Sequence, residues 1–137
     1  MSPAINCIVA LFSLVSPDPV SGHSRAAVGD SLAVGFGQAS HMATFARVGA
    51  GSCEIVRKVP SGHYDFMLIS AGTNDVPGLC LEAIRARADA STIEWVVPVN
   101  GARNHVLSVA HAHGDRLLFY IPSRRAWPHP AAYWNVR

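Results

Sequence analysis

Charge is scarce in this chain. Asp, Glu, Lys and Arg make up 15% of its 137 residues, and the formal net charge is +2. The basic residues are scattered apart from Arg57-Lys58 and Arg124-Arg125. That distribution excludes the clustered positive footprint of a nucleic-acid-binding surface. Long apolar runs are missing too, and no stretch reaches the roughly 18 apolar residues of a stable membrane span. Cysteine is limited to Cys7, Cys53 and Cys80. They form no CxxC pair and no Cys/His spacing of zinc-site type. What is plentiful is hydrophobic residues, at 50% of the chain, which excludes general disorder. The length suits one domain with a real core.

The first 24 residues read as separable from the rest. Ile5–Val15 (INCIVALFSLV) is a short apolar run, and SPDPVSG follows as a linker rich in proline and glycine. An apolar segment of about eleven residues has the length of a signal-peptide core. Ser24-Arg25-Ala26 offers small residues as a candidate cleavage site. However, no Lys or Arg precedes the run, and signal peptides normally carry a positive n-region. The segment is therefore read either as a signal peptide, making the protein exported or periplasmic, or as an extra element of a cytoplasmic domain. Removal of this segment would take Cys7 with it and leave an even pair.

From residue 25 onward the hydrophobic pattern alternates between two periods. Strands are expected at Arg25–Val28, Ala43–Val48, Tyr64–Ser70, Ile93–Val99 and Leu117–Ile121. Helical spacing is expected over Ser31–Ser40 (as helix or loop), Ser52–Val59, Leu79–Ala90 and Ala102–His113. Strands separated by helical stretches imply βαβ units and a parallel sheet. The expected fold is an α/β three-layer sandwich with about five parallel strands in flavodoxin-like order. Parallel strands place their carboxyl ends on one edge, where ligands bind in open α/β sheets. The informative loops are then GDS at 29–31, GAGS at 49–52, AGTND at 71–75, NGARN at 100–104 and the segment after Ile121.

Ser31 sits at a strand-to-helix bend, where a serine serves equally well as a nucleophile or as a helix N-cap. Asp30 beside it reads as a structural residue bonding backbone within the turn. Gly29-Asp30-Ser31-Leu32-Ala33 lacks the second glycine of G-x-S-x-G, which argues against the ordinary α/β-hydrolase elbow. Asn74 reads alone as a turn cap before Pro77, and His129 as a surface histidine in a proline-rich tail. The other histidines (23, 41, 63, 105, 111 and 113) match no motif.

Taken together, the loops resemble a known family, the SGNH hydrolases or GDSL esterases. Gly29-Asp30-Ser31-Leu32 is similar to the first family block, whose serine is the nucleophile. Gly49, in Arg47-Val48-Gly49-Ala50-Gly51, falls where the second block has its glycine, and Gly51 is a rival. Gly72-Thr73-Asn74-Asp75 resembles the third block, GxND. His129-Pro130-Ala131-Ala132-Tyr133 resembles the tail of the last block, HPxxY. The resemblance spans about residues 25–135. It implies that Ser31 is the nucleophile and His129 the general base. It also implies an oxyanion hole formed by the N–H groups of Ser31 and Gly49 and the side-chain amide of Asn74. Acyl transfer requires these three kinds of group, and no metal or cofactor. If the loops carrying Gly49 and Asn74 flank one oxyanion hole, Cys53 and Cys80 begin neighbouring helices. Their reading stays open between a brace and two separate thiols.

The chain departs from the family pattern at one telling position. An aspartate normally stands three residues before the histidine, and here that residue is Ala126. Asp115 is a poor substitute because it begins the last strand, roughly 20 Å from the site edge at about 3.3 Å per residue. Asp75 belongs to the asparagine loop. A backbone carbonyl orienting His129 would leave a Ser-His dyad. The closing helix after the last strand is expected to be short. The expected function is hydrolysis of a carboxylic ester, a small-molecule or glycan-linked substrate with a short acyl group, through an acyl-enzyme. The alternative is a weak or inactive domain of the same fold that binds a glycan or a protein partner.

Overall fold

The computed structural model describes residues 24–75 and 78–137. The apolar run at 5–15, Cys7, His23 and Pro77 lie outside the described residues. Five strands and four helices follow one another in the described chain. They are β1 (Arg25–Gly29), α1 (Ser31–Ala39), β2 (Ala43–Ala46), α2 (Ser52–Val56), β3 (Tyr64–Ser70), α3 (Leu81–Arg87), β4 (Ala90–Val96), α4 (Arg103–His113) and β5 (Arg116–Leu118). The sheet order is β2-β1-β3-β4-β5, and every neighbouring pair is parallel. The fold is a three-layer α/β sandwich of flavodoxin-like order, as the alternating periods imply.

The alternation along β3 builds the layers. Met67 and Ile69 point to one face, where they join Ile55 of α2, Leu81 and Ile84 of α3, and Val106 and Val109 of α4. Phe66 and Leu68 point to the other face, against Leu32, Ala33 and Phe36 of α1. Helix α1 carries two glycines, each costing about 1 kcal/mol relative to alanine in a helix interior. Close packing explains one of them. A Cβ at Gly37 would lie 2.6 Å from Thr44 Oγ1 and 2.8 Å from the Ala27 side chain, so α1 lies directly on β1 and β2.

Several boundaries differ from the sequence expectation for physical reasons. The helix expected to reach Ala90 ends at Arg87, because Ala88 turns extended and Tyr64 N–H bonds the Asp89 carbonyl at 3.0 Å. Strand β4 consequently starts at Ala90, opposite Tyr64, rather than at Ile93. The second strand and second helix end two and three residues early, at Ala46 and Val56. The last strand is Arg116–Leu118 rather than Leu117–Ile121. As an edge strand, β5 pairs only with β4, which itself ends at Val96, and Phe119 and Ile121 lie past that ladder and are exposed.

No helix follows β5 among the described residues. The layer beside α1 is completed instead by irregular chain. Tyr120 and Val136 are buried there, and Tyr133 packs edge-on against Phe36 with centroids 4.8 Å apart. Two side-chain bonds from the first half of the chain hold the far end. Arg25 donates to the Val136 carbonyl, and the Val136 N–H donates to Ser40 Oγ at 2.8 Å.

Candidate active site

The turn after β1 is built by three adjacent residues. Gly29 has φ +143, and a Cβ there would overlap the Ser70 carbonyl oxygen on β3, so only glycine fits. Asp30 follows as the N-cap of α1. Its Oδ1 accepts from Leu32 N–H at 3.1 Å and from the Ser70 hydroxyl at 2.7 Å. Asp30 N–H also bonds the Ser70 carbonyl at 3.0 Å. The capping duty therefore falls on Asp30, and Ser31 becomes the first residue inside the helix with its hydroxyl free for another partner.

That partner is His129. Ser31 Oγ lies 2.6 Å from His129 Nε2. On the other side of the ring, Nδ1 lies 3.0 Å from the Ala126 carbonyl oxygen. A carbonyl only accepts, so the neutral ring carries its proton on Nδ1 and presents a bare Nε2 to the serine. The same carbonyl accepts the His129 N–H at 2.7 Å. Ala126 thus orients the imidazole through its backbone. It supplies no full negative charge.

The segment bearing His129 is pinned from several directions. Ser123 N–H bonds the His129 carbonyl at 2.8 Å, and Pro122 and Pro130 form an isolated antiparallel bridge. The Tyr120 hydroxyl donates to the Pro128 carbonyl at 2.6 Å. Burial pushes the Tyr120 phenol up to about 12, so it remains a donor throughout the physiological range. Tyr133 lies over Gly35 of α1, where a Cβ would overlap the ring. This second helical glycine therefore makes room for the strand of chain that carries the base.

The other expected site residues lie on the same edge of the sheet. Gly49, in the loop after β2, is exposed with φ +85. Among the described residues its N–H has no acceptor. Gly51 is the N-cap of α2, its carbonyl accepting from Glu54 and Ile55 N–H at 3.1 Å each. Asn74, in the loop after β3, donates one amide N–H to the Ala50 carbonyl at 3.1 Å, which ties the second loop to the third. An amide nitrogen has two N–H bonds, so one is left for a ligand. Asp75 has a role that the sequence reading missed. Its carboxylate accepts Ser52 N–H at 3.2 Å and the Ser52 hydroxyl at 2.6 Å. A negative group at a helix start is favourable, but the pairing joins residues 23 apart and follows no local motif. Cys53 and Cys80 are joined by a disulfide that spans these loops, with Cα atoms 4.9 Å apart.

Asp115 is removed from the site, as its position implied. It accepts from Arg85 Nε at 2.7 Å and from Trp95 Nε1 at 2.9 Å. Asp30 is the perturbed acid beside the nucleophile. Burial pushes its carboxyl up to about 6, and the hydrogen bonds from Ser70 and Leu32 N–H pull it partly back, with the Thr73 hydroxyl nearby. Neither Asp30 Oδ2 nor Thr73 Oγ1 completes a bond of ordinary geometry. No group of three or more His, Cys, Asp or Glu among the described residues is placed to hold a metal ion. No helix among them is long and apolar enough to cross a membrane. No family model, curated protein or solved structure matches this chain.

Proposed function

We propose that the protein is a serine esterase of SGNH type working through a Ser31–His129 dyad. One observation carries the reading: a serine hydroxyl 2.6 Å from an imidazole nitrogen whose opposite nitrogen bonds a backbone carbonyl. In this reading Ser31 Oγ attacks the ester carbonyl carbon and passes its proton to Nε2. The developing oxyanion is met by the Ser31 N–H at the start of α1, the Gly49 N–H and the free Asn74 amide proton. First-turn N–H groups have no acceptor within their own helix, which leaves the Ser31 donor available. The protonated imidazole returns its proton to the departing alcohol, and water then hydrolyses the acyl-enzyme. The described loops offer little chain for a lid, which favours a short acyl group such as acetyl on a carbohydrate.

A fluorophosphonate probe tests this directly. It should label Ser31, and Ser31→Ala should remove at least about a hundredfold of turnover on p-nitrophenyl acetate, what remains of a triad's roughly millionfold when the acid's share of about 10⁴ is missing. Absence of label together with an inert wild type would overturn the reading. The neutral carbonyl at Ala126 favours one alternative, a weak or non-catalytic domain of the same fold that binds a glycan or protein partner. That outcome of the probe experiment would support it.

A further inference from the structure

A second nucleophile, base and acid stand in register at the opposite edge of the sheet. His63 Nδ1 lies 2.8 Å from Asp89 Oδ1, and His63 Nε2 lies 3.0 Å from Ser91 Oγ. Asp89 only accepts when ionised, so Nδ1 carries the proton, and in the neutral ring Nε2 accepts a hydrogen bond from the Ser91 hydroxyl. The register of the strands creates the cluster. Tyr64 faces Ala90 across β3 and β4, which sets His63 beside Asp89 and Ser91. This edge is the amino end of β3 and β4, roughly 20 Å from Ser31 at about 3.3 Å per residue.

We propose that Ser91 is a second acylation site, activated by His63 with Asp89 positioning the ring. Hydrogen-bond reach from nucleophile to base and from base to its orienting group is the geometry that an activated hydroxyl requires. The surroundings define the class of donor. All three residues are exposed, with side-chain exposures of 54% for His63 and 65% for Asp89. Side chains this exposed stand open to solvent on most sides and give a substrate little wall to fit. The site therefore takes small activated acyl donors, such as phenyl esters, thioesters or acyl phosphates, whose leaving groups depart without help. Ser91 Oγ attacks the acyl carbonyl carbon, and its proton moves to His63 Nε2. The tetrahedral adduct collapses with cleavage of the bond to the leaving group, which takes the electron pair. His63 then gives its proton to solvent, and Ser91 is left as an ester. No oxidant or reductant takes part.

The test uses Ser31→Ala protein treated with p-nitrophenyl acetate, with peptide mass spectrometry followed over time. Ser108 on α4, also exposed, serves as an internal reference. Acetyl should accumulate on Ser91 well ahead of Ser108. His63→Gln should slow it by about a hundredfold, the low end of what a positioned base contributes. Asp89→Asn should slow it less, and Asp89→Glu should restore part of the loss, which a purely structural role would not predict. All of these side chains are exposed, so the variants should keep their fold. Acetylation of Ser91 no faster than that of Ser108 would overturn the proposal. So would a rate unchanged by His63→Gln, or acetyl confined to His63.

Discussion

Asp30 gives the fold a pH dependence whose sign and size follow from its surroundings. Its carboxyl rises from the ordinary 3.8 to about 6 because the folded state buries it. Between these values the native protein binds more protons than the unfolded chain. Stability therefore falls as pH rises from about 4 to about 6, the reverse of the usual paired carboxylate. At about 1.4 kcal/mol per pH unit, the full effect is about 3 kcal/mol. Asp30→Asn should remove it. The amide oxygen can still accept from Leu32 N–H and the Ser70 hydroxyl, as Oδ1 does now. The new amide nitrogen replaces an oxygen that has no partner, and faces the similarly unbonded Thr73 hydroxyl. The variant should match wild type near pH 4 and exceed its stability by up to about 3 kcal/mol at pH 8. Urea unfolding from pH 4 to pH 8 measures both proteins. Taking the difference between them cancels other groups, including Glu94, which burial also pushes up. Parallel profiles for the two proteins would refute this account of Asp30.

Two further perturbations address the site and its brace. Ala126→Asp places a carboxylate next to the carbonyl that now holds His129 Nδ1. It should recover part of the roughly 10⁴-fold in kcat that a triad acid contributes. The acid limb of kcat/KM against pH should move to higher pH, because a new negative charge favours the protonated imidazole. A gain that persists when Ser31→Ala is added would show that the carboxylate acts alone. Replacing Cys53 and Cys80 by serine opens a loop of 27 residues and should cost about 3–4 kcal/mol by the chain-entropy relation. Urea midpoints with and without a reductant would check this, and an unchanged midpoint would show that the bridge contributes nothing.

The alternation of strand and helix periods was enough to foresee the layers, because a buried parallel strand leaves an unbroken apolar run, as Phe66–Ile69 does within Tyr64–Ser70. Ser31 and His129 were legible as a pair because short motifs sit behind the right strands. That a backbone carbonyl orients His129 was among the expectations, but the residue supplying it was not named. A carbonyl belongs to every residue and carries no sequence signal, so Ala126 itself stood out only as the absence of an acid. The capping of α2 by Asp75 and the His63–Asp89–Ser91 cluster were hidden for a related reason. Each depends on the register between elements, which hydrophobic spacing leaves open. The strand ends were misjudged where apolar residues outlast their pairing, as at Phe119 and Ile121.

The irregular chain after β5 also sets the order in which the dyad can come into being. Ser31 and its cap use residues from the first 70 of the chain, with Ser70 the most distant of them. His129 is 98 residues beyond its serine partner. Synthesis proceeds from the amino terminus, and a domain generally folds as a unit. A nascent chain still holding residue 129 inside the ribosome has Ser31 without its base. The segment that delivers the base is held in turn by Val136, through contacts to Ser40 and Arg25. On the proposed dyad, reactivity at Ser31 is therefore a late event in the life of each molecule, and partly made chains should stay silent toward acylating agents at that serine.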